Sequence, residues 1–416
     1  MIELLCTSIN ITPDFPVYLS GFENRTIKSE NVDLELEINL CIFSFSLELV
    51  VMVSVDLLFI TEELNNYFYK QIKIQFPDLN YNNLIVCATH THYAPSIEKR
   101  ERLGVYDHKY FIYLKSKIDQ LCFNLNKIPF FKPIIKITNE NLININCNRR
   151  RKLFALKRFK RIAVMEPNPK CIVDNEFILI NFYDIDGLVR FSIVKFACHP
   201  TNFPEINTIT AEYPGEIRKI IRESKNIDYP ILFLQGFSGD IRAMPPKRTI
   251  FKRFIYNLLS KSYPVSFYKY DIFDYKDWIF VMKKNILSVI QHESLFTSRM
   301  LSIKNERLVL KDIGINTKHA EYLNFSSIKI DNLLFIFISA EVFNFYDSYI
   351  KTMFPEYKII TVGYYGNVFG YLPNKDELKY LGYEVEDFKL FFDIRGKFTS
   401  DLENIIKQKI CQLIKK

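Results

Sequence analysis

Histidine is scarce in this 416-residue chain, which has only six, so the places where histidines fall carry information. Cysteine is present eight times but never in Cys-x-x-Cys spacing, and nothing suggests a disulfide framework. Cys41, Cys87 and Cys198 lie inside apolar, strand-like runs where buried free thiols are common. The amino terminus lacks a positively charged region followed by a long apolar one, the mark of an export signal, so a cytoplasmic protein is expected. The longest apolar region, residues 40–60, is broken by Glu48 and Asp56. A charge near the centre of a bilayer costs a few kcal/mol, so this region reads as two buried strands joined near Ser46–Glu48 and no transmembrane segment is predicted. Internal repeats and low-complexity linkers are absent as well.

The net charge of +8 is modest for this length and comes partly from Arg149-Arg150-Arg151-Lys152, with Lys157, Arg158, Lys160 and Arg161 following. No recognised RNA- or DNA-binding motif accompanies the cluster, so nucleic acid is not an expected partner. A solvated loop, or attraction to an anionic substrate, explains the charge equally well.

Hydrophobic residues make up 48% of the chain and charged residues 25%, enough for a sizeable core. Length admits one large domain or two lobes. The pattern is read as a single domain over residues 1–416, of class α/β: a mixed, multi-stranded sheet flanked by helices, with a crevice at the strand ends and a helical insertion at 245–300. Residues 50–55 are apolar and β-branched, Thr61 can cap a helix running to about Phe76, and 84–88 returns as a strand. Residues 177–183 and 188–197 flank Asp184-Ile185-Asp186-Gly187 as a hairpin. A helix is expected near Pro214, with its pattern over 216–222, followed by a short buried strand at 231–234 that ends in the flexible loop Gln235–Asp240. Another hairpin, 325–330 with 333–339, ends at Glu341, and a capping box with Glu403 opens a helix over 400–414.

Three of the six histidines cluster in this pattern. Thr89-His90-Thr91-His92 follows the strand at 84–88, and Cys198-His199-Pro200-Thr201-Asn202 follows the strand that ends near Ala197. If the strand continued through them, His90 and His92 would project to one side and Thr91 to the other, so that two imidazoles share a pocket. An isolated His-x-His pair is more often two hydrogen-bonded strand termini. The second histidine-bearing strand end favours a metal site.

Taken in order, the motifs resemble the catalytic domain of neutral (alkaline, non-lysosomal) ceramidases and their shorter bacterial relatives. They are Ile11-Thr12-Pro13, Ser20-Gly21-Phe22, Val55-Asp56, Thr89–His92, Asn148-Arg149-Arg150, Cys198–Thr201, Glu212-Tyr213-Pro214-Gly215, Gly239-Asp240, Glu341-Val342-Phe343, Gly370-Tyr371 and Gly382-Tyr383-Glu384. The resemblance implies one catalytic Zn²⁺ held by His90, His199, Glu341 and Tyr371, a donor set that suits zinc. On its own Glu341 reads as a solvated turn carboxylate and Tyr371 as a packing aromatic; only the resemblance lifts them above that. It also implies that His92, Arg149 and Tyr383 line the pocket and hold a scissile amide, although the neighbouring arginines equally fit a solvated basic loop.

Three departures shape the expected substrate. Where ceramidases carry a serine two residues after Gly-Asp, this chain has Arg242, which disfavours a serine-dependent mechanism. Arg242 reads either as a surface residue of the loop or as a group that binds an anionic part of the substrate or stabilises an oxyanion. Tyr93 replaces a small residue after His92 and would narrow the pocket mouth. The carboxy-terminal β-sandwich domain of full-length ceramidases is not expected, and ceramide itself is not the expected substrate. The resulting expectation is a zinc-dependent amidohydrolase using zinc-activated water on the N-acyl bond of a small lipid-like, sugar or other metabolite, possessing an anionic group. A zinc esterase or phosphoesterase, and a non-catalytic ligand-binding relative, remain the alternatives. Oligomeric state is not readable from the sequence.

Overall fold

A computed structural model describes residues 2–23, 25–46, 48–155, 160–168, 170–245 and 269–415. The elements that position the candidate site begin with strands β1 (Glu3–Asn10), β2 (Glu37–Phe45) and β3 (Glu48–Val55), helix α1 (Glu62–Gln75), strand β4 (Leu84–Ala88) and helix α2 (His108–Cys122). Next come β5 (Ile134–Asn141), β6 (Asn146–Ala155), β7 (Lys160–Asn168), β8 (Glu176–Tyr183), β9 (Val189–Phe196), α3 (Glu212–Lys225), β10 (Ile231–Gln235) and β11 (Ile241–Ala243). The remainder holds α4 (Ile272–Val289), β12 (Ser294–Phe296), β13 (Leu301–Val309), β14 (Tyr322–Ile330), β15 (Leu333–Ile338), β16 (Glu341–Val342), α5 (Phe345–Met353), β17 (Lys358–Val362), β18 (Tyr371–Leu372) and α6 (Leu402–Lys415).

Three mixed sheets, ordered β1-β2-β3-β4, β10-β9-β8-β5-β12 and β13-β14-β15-β17, form the interior. Alternation along each strand explains how they pack. In β3, Val50 and Met52 enter a central core shared with Ile180, Ile193 and Leu232 of the second sheet and Phe335 and Ile360 of the third. Val51, Val53 and Val55 face the other way, onto Leu64 and Phe68 of α1 and Leu114 of α2. The far side of the second sheet is covered by α3 and α4 through Phe196, Phe233, Ile217, Trp278 and Met282. Sheets buried on both faces explain why the strand sequences read as nearly continuous apolar runs. The class is α/β, as expected, but the single mixed sheet resolves into several.

Thr61 caps α1 through its side chain onto the Leu64 N–H, and β4 returns parallel to β3, Val55 opposite Ala88. The β8–β9 and β14–β15 hairpins form in antiparallel register. Glu403 does not cap its helix. Its carboxylate accepts instead from the Lys375 backbone N–H and pairs with Lys407. Of the stretch 245–300, residues 246–268 lie outside the described residues. The rest is α4 and the short strand β12, which adds to the second sheet beside β5. Among the described residues, no helix is long and apolar enough to cross a membrane. All eight cysteines are free thiols.

One buried ion pair joins the first sheet to α3. Arg218, 1% exposed, donates to both carboxylate oxygens of Asp56 at 3.1 and 2.5 Å, just beyond β3. Asp56 in turn accepts from the Glu37 N–H at 2.8 Å. Replacing Arg218 with Ala leaves a fully buried carboxylate unpaired, and loss of about 3–5 kcal/mol is expected. Urea denaturation measures it, and a loss below about 1 kcal/mol, typical of exposed pairs, would show that the pair does not tie α3 to the first sheet.

Candidate metal centre

Parallel strand pairs aim their carboxyl ends at one rim. β3 with β4, β9 with β10 and β15 with β17 all run parallel, and the segments leaving β4, β9, β15 and β17 carry His90, His199, Glu341 and Tyr364. Crevices at such strand ends are the usual ligand sites of α/β sheets.

The histidine pair does not sit on a continuing strand. β4 ends at Ala88 and His90 adopts a left-handed φ of 66°, so it is this backbone turn, not strand alternation, that brings His90 and His92 together. A second tight feature supports them. At Gly21 (φ 99°) a Cβ would fall 2.5 Å from His92 Nδ1, so only glycine lets the backbone carbonyl approach the ring.

The geometry of the three rings is specific. His90 Nδ1 lies 2.9 Å from Leu58 O, His92 Nδ1 2.8 Å from Gly21 O and His199 Nδ1 3.3 Å from Ser238 O. A carbonyl can only accept, so each Nδ1 carries the proton and each neutral Nε2 presents a lone pair. Burial, with neighbouring histidine and Arg149 charges, holds the pKa of His92 and His199 well below the ordinary histidine value, keeping both neutral. The three Nε2 atoms nevertheless converge: His90 is 3.1 Å from His199 and 3.2 Å from His92. Glu341 Oε2 completes the group, 3.4 Å from His90 Nε2 and 3.7 Å from His199 Nε2, and it is buried with no hydrogen-bond partner.

Lone-pair atoms packed this closely repel unless a cation lies between them. Ligands at about 2.0–2.1 Å around a tetrahedral ion stand roughly 3.3 Å apart, close to the 3.1, 3.4 and 3.7 Å that separate His90, His199 and Glu341. The residues therefore fit a divalent metal ion, and carbonyl-anchored imidazoles are the usual outer support of such a site. His90, His92 and His199 form the metal-capable cluster among the described residues. His92, expected as a pocket donor, thus stands among the potential ligands.

Glu341 is not a solvated turn carboxylate: it is 2% exposed. β16 and β18 pair in parallel with Glu341 directly opposite Tyr371, which brings two residues distant in sequence side by side. The Tyr371 hydroxyl accepts from Arg149 Nη2 at 3.0 Å, and its ring packs on Tyr383. Gly239 lies against the same strand pair, where a Cβ would come within 2.4 Å of Glu341 O.

Arg149 and Arg150 do not belong to a solvated loop. Both are buried on β6. Arg149 also donates to Gly239 O at 3.0 Å and pairs with Glu384 at 2.8 Å. Arg150 pairs with the other Glu384 oxygen at 2.6 Å and with Glu377 at 3.0 Å, and donates to Leu381 O. Glu384 follows Tyr383, so the two arginines clamp the turn that carries Tyr383 beside the centre. Lys157 and Arg158 lie outside the described residues.

Arg242 lies on β11, bridged to His199, half-buried, and donates to Thr201 O at 3.0 Å. The Gln235–Asp240 segment is a buried turn, not an exposed flexible loop. Tyr93 lies in the core, 1% exposed, with its hydroxyl on Phe203 O, and so does not narrow the pocket mouth. His92, Arg242, Tyr383 and Phe22 are partly exposed, marking where the centre opens.

Sequence reasoning missed two aromatic neighbours. Tyr364, at φ 55°, lays its ring 4.1 Å from that of His90 and shares a hydrogen bond with Ser238 Oγ at 3.0 Å. Phe59 also packs on the His90 ring, 5.0 Å between centroids. No periodicity marks either one; the only cue is their place just past a strand end.

The fold is that of neutral ceramidases. The crystal structure of neutral ceramidase from Pseudomonas aeruginosa superposes over 98% of this chain and 73% of its own, with a TM-score of 0.72 and 13% identity. A ceramidase complexed with C2 matches over 98% of this chain and 74% of its own, with a TM-score of 0.70 and 13% identity. No protein-family model matches the chain, and no curated protein matches it.

Two outcomes test the site. Isothermal titration with Zn²⁺ is expected to give one tight site in the native protein and none in His90→Ala or His199→Ala; unaltered affinity in both variants would remove the centre. The second concerns Glu212, a fully buried residue whose carboxyl pKa is pushed up to about 8 by burial. Between about pH 4.5, its ordinary value, and about pH 8 the folded state holds a proton that the unfolded chain releases, so stability falls as pH rises. Glu212→Gln should flatten that slope in pH-dependent urea melts, whereas parallel slopes for the two proteins would argue against it.

Proposed function

We propose that the protein is a zinc-dependent amidohydrolase that cleaves the N-acyl amide bond of a small lipid-like or sugar-like molecule. The single observation that carries this reading is the crowding around His90 Nε2, which has the His199 and His92 Nε2 lone pairs and the orphaned Glu341 oxygen at 3.1, 3.2 and 3.4 Å. The neutral-ceramidase fold supports it. His90, His199 and Glu341 would hold the ion, with Tyr371 alongside. A bound zinc ion supplies Lewis acidity that polarises a carbonyl and makes water a nucleophile near neutral pH.

The protein's own groups do the rest. His92 is the ring of the three with partial exposure, so its neutral Nε2 can accept a hydrogen bond from the attacking water or the substrate N–H at the edge of the crevice. Tyr383, next to Tyr371 and partly exposed, offers a phenol O–H to the oxygen of the scissile carbonyl. Arg149 contributes indirectly. Its guanidinium is engaged with Tyr371, Gly239 and Glu384, which favours holding the tyrosine over grasping substrate. Arg242, standing at the rim where ceramidases carry serine, favours a substrate with a carboxylate or phosphate.

A panel of N-acyl amides, acyl esters and phosphoesters tests the reaction. Amide turnover abolished in His90→Ala is expected, and turnover of phosphoesters alone would replace this reading with a phosphoesterase. Arg242→Ala should lose at least about tenfold in kcat/KM on anionic amides while sparing neutral ones. Equal losses on both would show that Arg242 does not select charge.

A further inference from the structure

Helix α4 has two faces of different character. Inward, Tyr275, Trp278, Met282 and Ile286 are buried against the second sheet. Outward, Phe273 and Phe280 are each 69% exposed, with Val281 and Leu287 also in solvent. Phe273, Phe280 and Leu287 recur every seven residues, so on a helix of 3.6 residues per turn they fall within about 40° of one line, roughly 21 Å long. Lys276 and Lys283 flank one side of that line, Lys284 and Asp277 the other, and all four are exposed. Lys283 reaches Glu223 at 2.8 Å, an exposed pair of little strength.

The other helices do not look like this. Helices α1, α2 and α5 each expose a single large apolar side chain (Ile74, Ile112 and Met353), and α3 and α6 expose none. Four on one helix, three of them in register, form a stripe that water disfavours. A polar border of three lysines against one aspartate narrows what can cover it. An apolar stripe edged by lysine is the pattern of a helix lying in the plane of a membrane, with its side chains among the acyl chains and its ammonium groups at anionic headgroups.

We propose that α4 docks the protein on an anionic phospholipid surface. The inner face of the same helix shows what this accomplishes. Tyr275 packs on Phe203, four residues beyond His199, at 5.2 Å, and Tyr93, next to His92, donates to Phe203 O. Docking through α4 therefore sets the bilayer one packed layer from the segments that carry His92 and His199, at a surface where lipid-like molecules partition. The stripe stands independently of the hydrolase reading, since it requires neither metal nor turnover.

Cosedimentation of the full-length protein with vesicles tests this. Binding is expected to vesicles containing phosphatidylglycerol, with at least about tenfold weaker binding to phosphatidylcholine alone and weakening by salt. Phe273→Ser/Phe280→Ser and Lys276→Glu/Lys284→Glu should each lose at least about tenfold, with unchanged thermal melting and unchanged Zn²⁺ affinity showing that fold and centre persist. No binding to phosphatidylglycerol vesicles, or equal binding by the native protein and both variants, overturns the proposal. Should sedimentation velocity instead reveal a dimer that the phenylalanine variants dissolve, without vesicle binding, a second copy of the chain covers the stripe and the proposal likewise fails.

Discussion

Two imidazole nitrogens and a carboxylate oxygen crowd the Nε2 of His90 at 3.1–3.4 Å with no proton to share, and the rest of the site is arranged around that constraint. Each imidazole has its Nδ1 proton committed to a backbone carbonyl, and these carbonyls come from three separate segments at Gly21, Leu58 and Ser238. The protein thus fixes tautomer and orientation with its most rigid groups, the peptide units flanking sheet ends. Such an arrangement is costly without a cation and stabilising with one, so metal binding and local stability should be one equilibrium here.

The sheet ends supply convergence, and buried ion pairs keep the converging loops in place. Arg149 and Arg150 share Glu384, which fixes the turn bearing Tyr383, while Arg218 and Asp56 tie α3 to the first sheet. Removing a partner from any of these leaves an unpaired charge in the interior, which costs several kcal/mol. The pairs therefore act as constraints on geometry, whatever their net contribution to stability. Glycines matter at just two contacts of the centre, Gly21 under His92 and Gly239 against Glu341, where any side chain would displace a ligand residue.

Much of the fold was legible because strands buried on both faces announce themselves as apolar runs: 84–88 and 231–234 came out within a residue of the observed strands, and Thr61 capped its helix as expected. His90, His92 and His199 were legible because histidine is rare and each follows such a run. What sequence could not convey was non-local. Burial of Glu341 depends on the parallel pairing of β16 with β18, thirty residues apart in the chain. The basic run at 149–152 looked like a solvated patch because its partners, Glu377 and Glu384, arrive from more than two hundred residues away. Tyr364 was invisible because no pattern distinguishes a tyrosine stacked on histidine from one in the core.

What occupies the space between His90, His199 and Glu341 decides whether the centre binds a metal ion. Zinc-edge X-ray absorption on the purified, Zn²⁺-loaded protein reads that space. The prediction is a first shell of nitrogen and oxygen only, near 2.0–2.1 Å, with outer-shell scattering from at least two imidazole rings. A shell containing sulfur at about 2.3 Å, or an absence of imidazole scattering, would place the metal elsewhere and contradict the assignment.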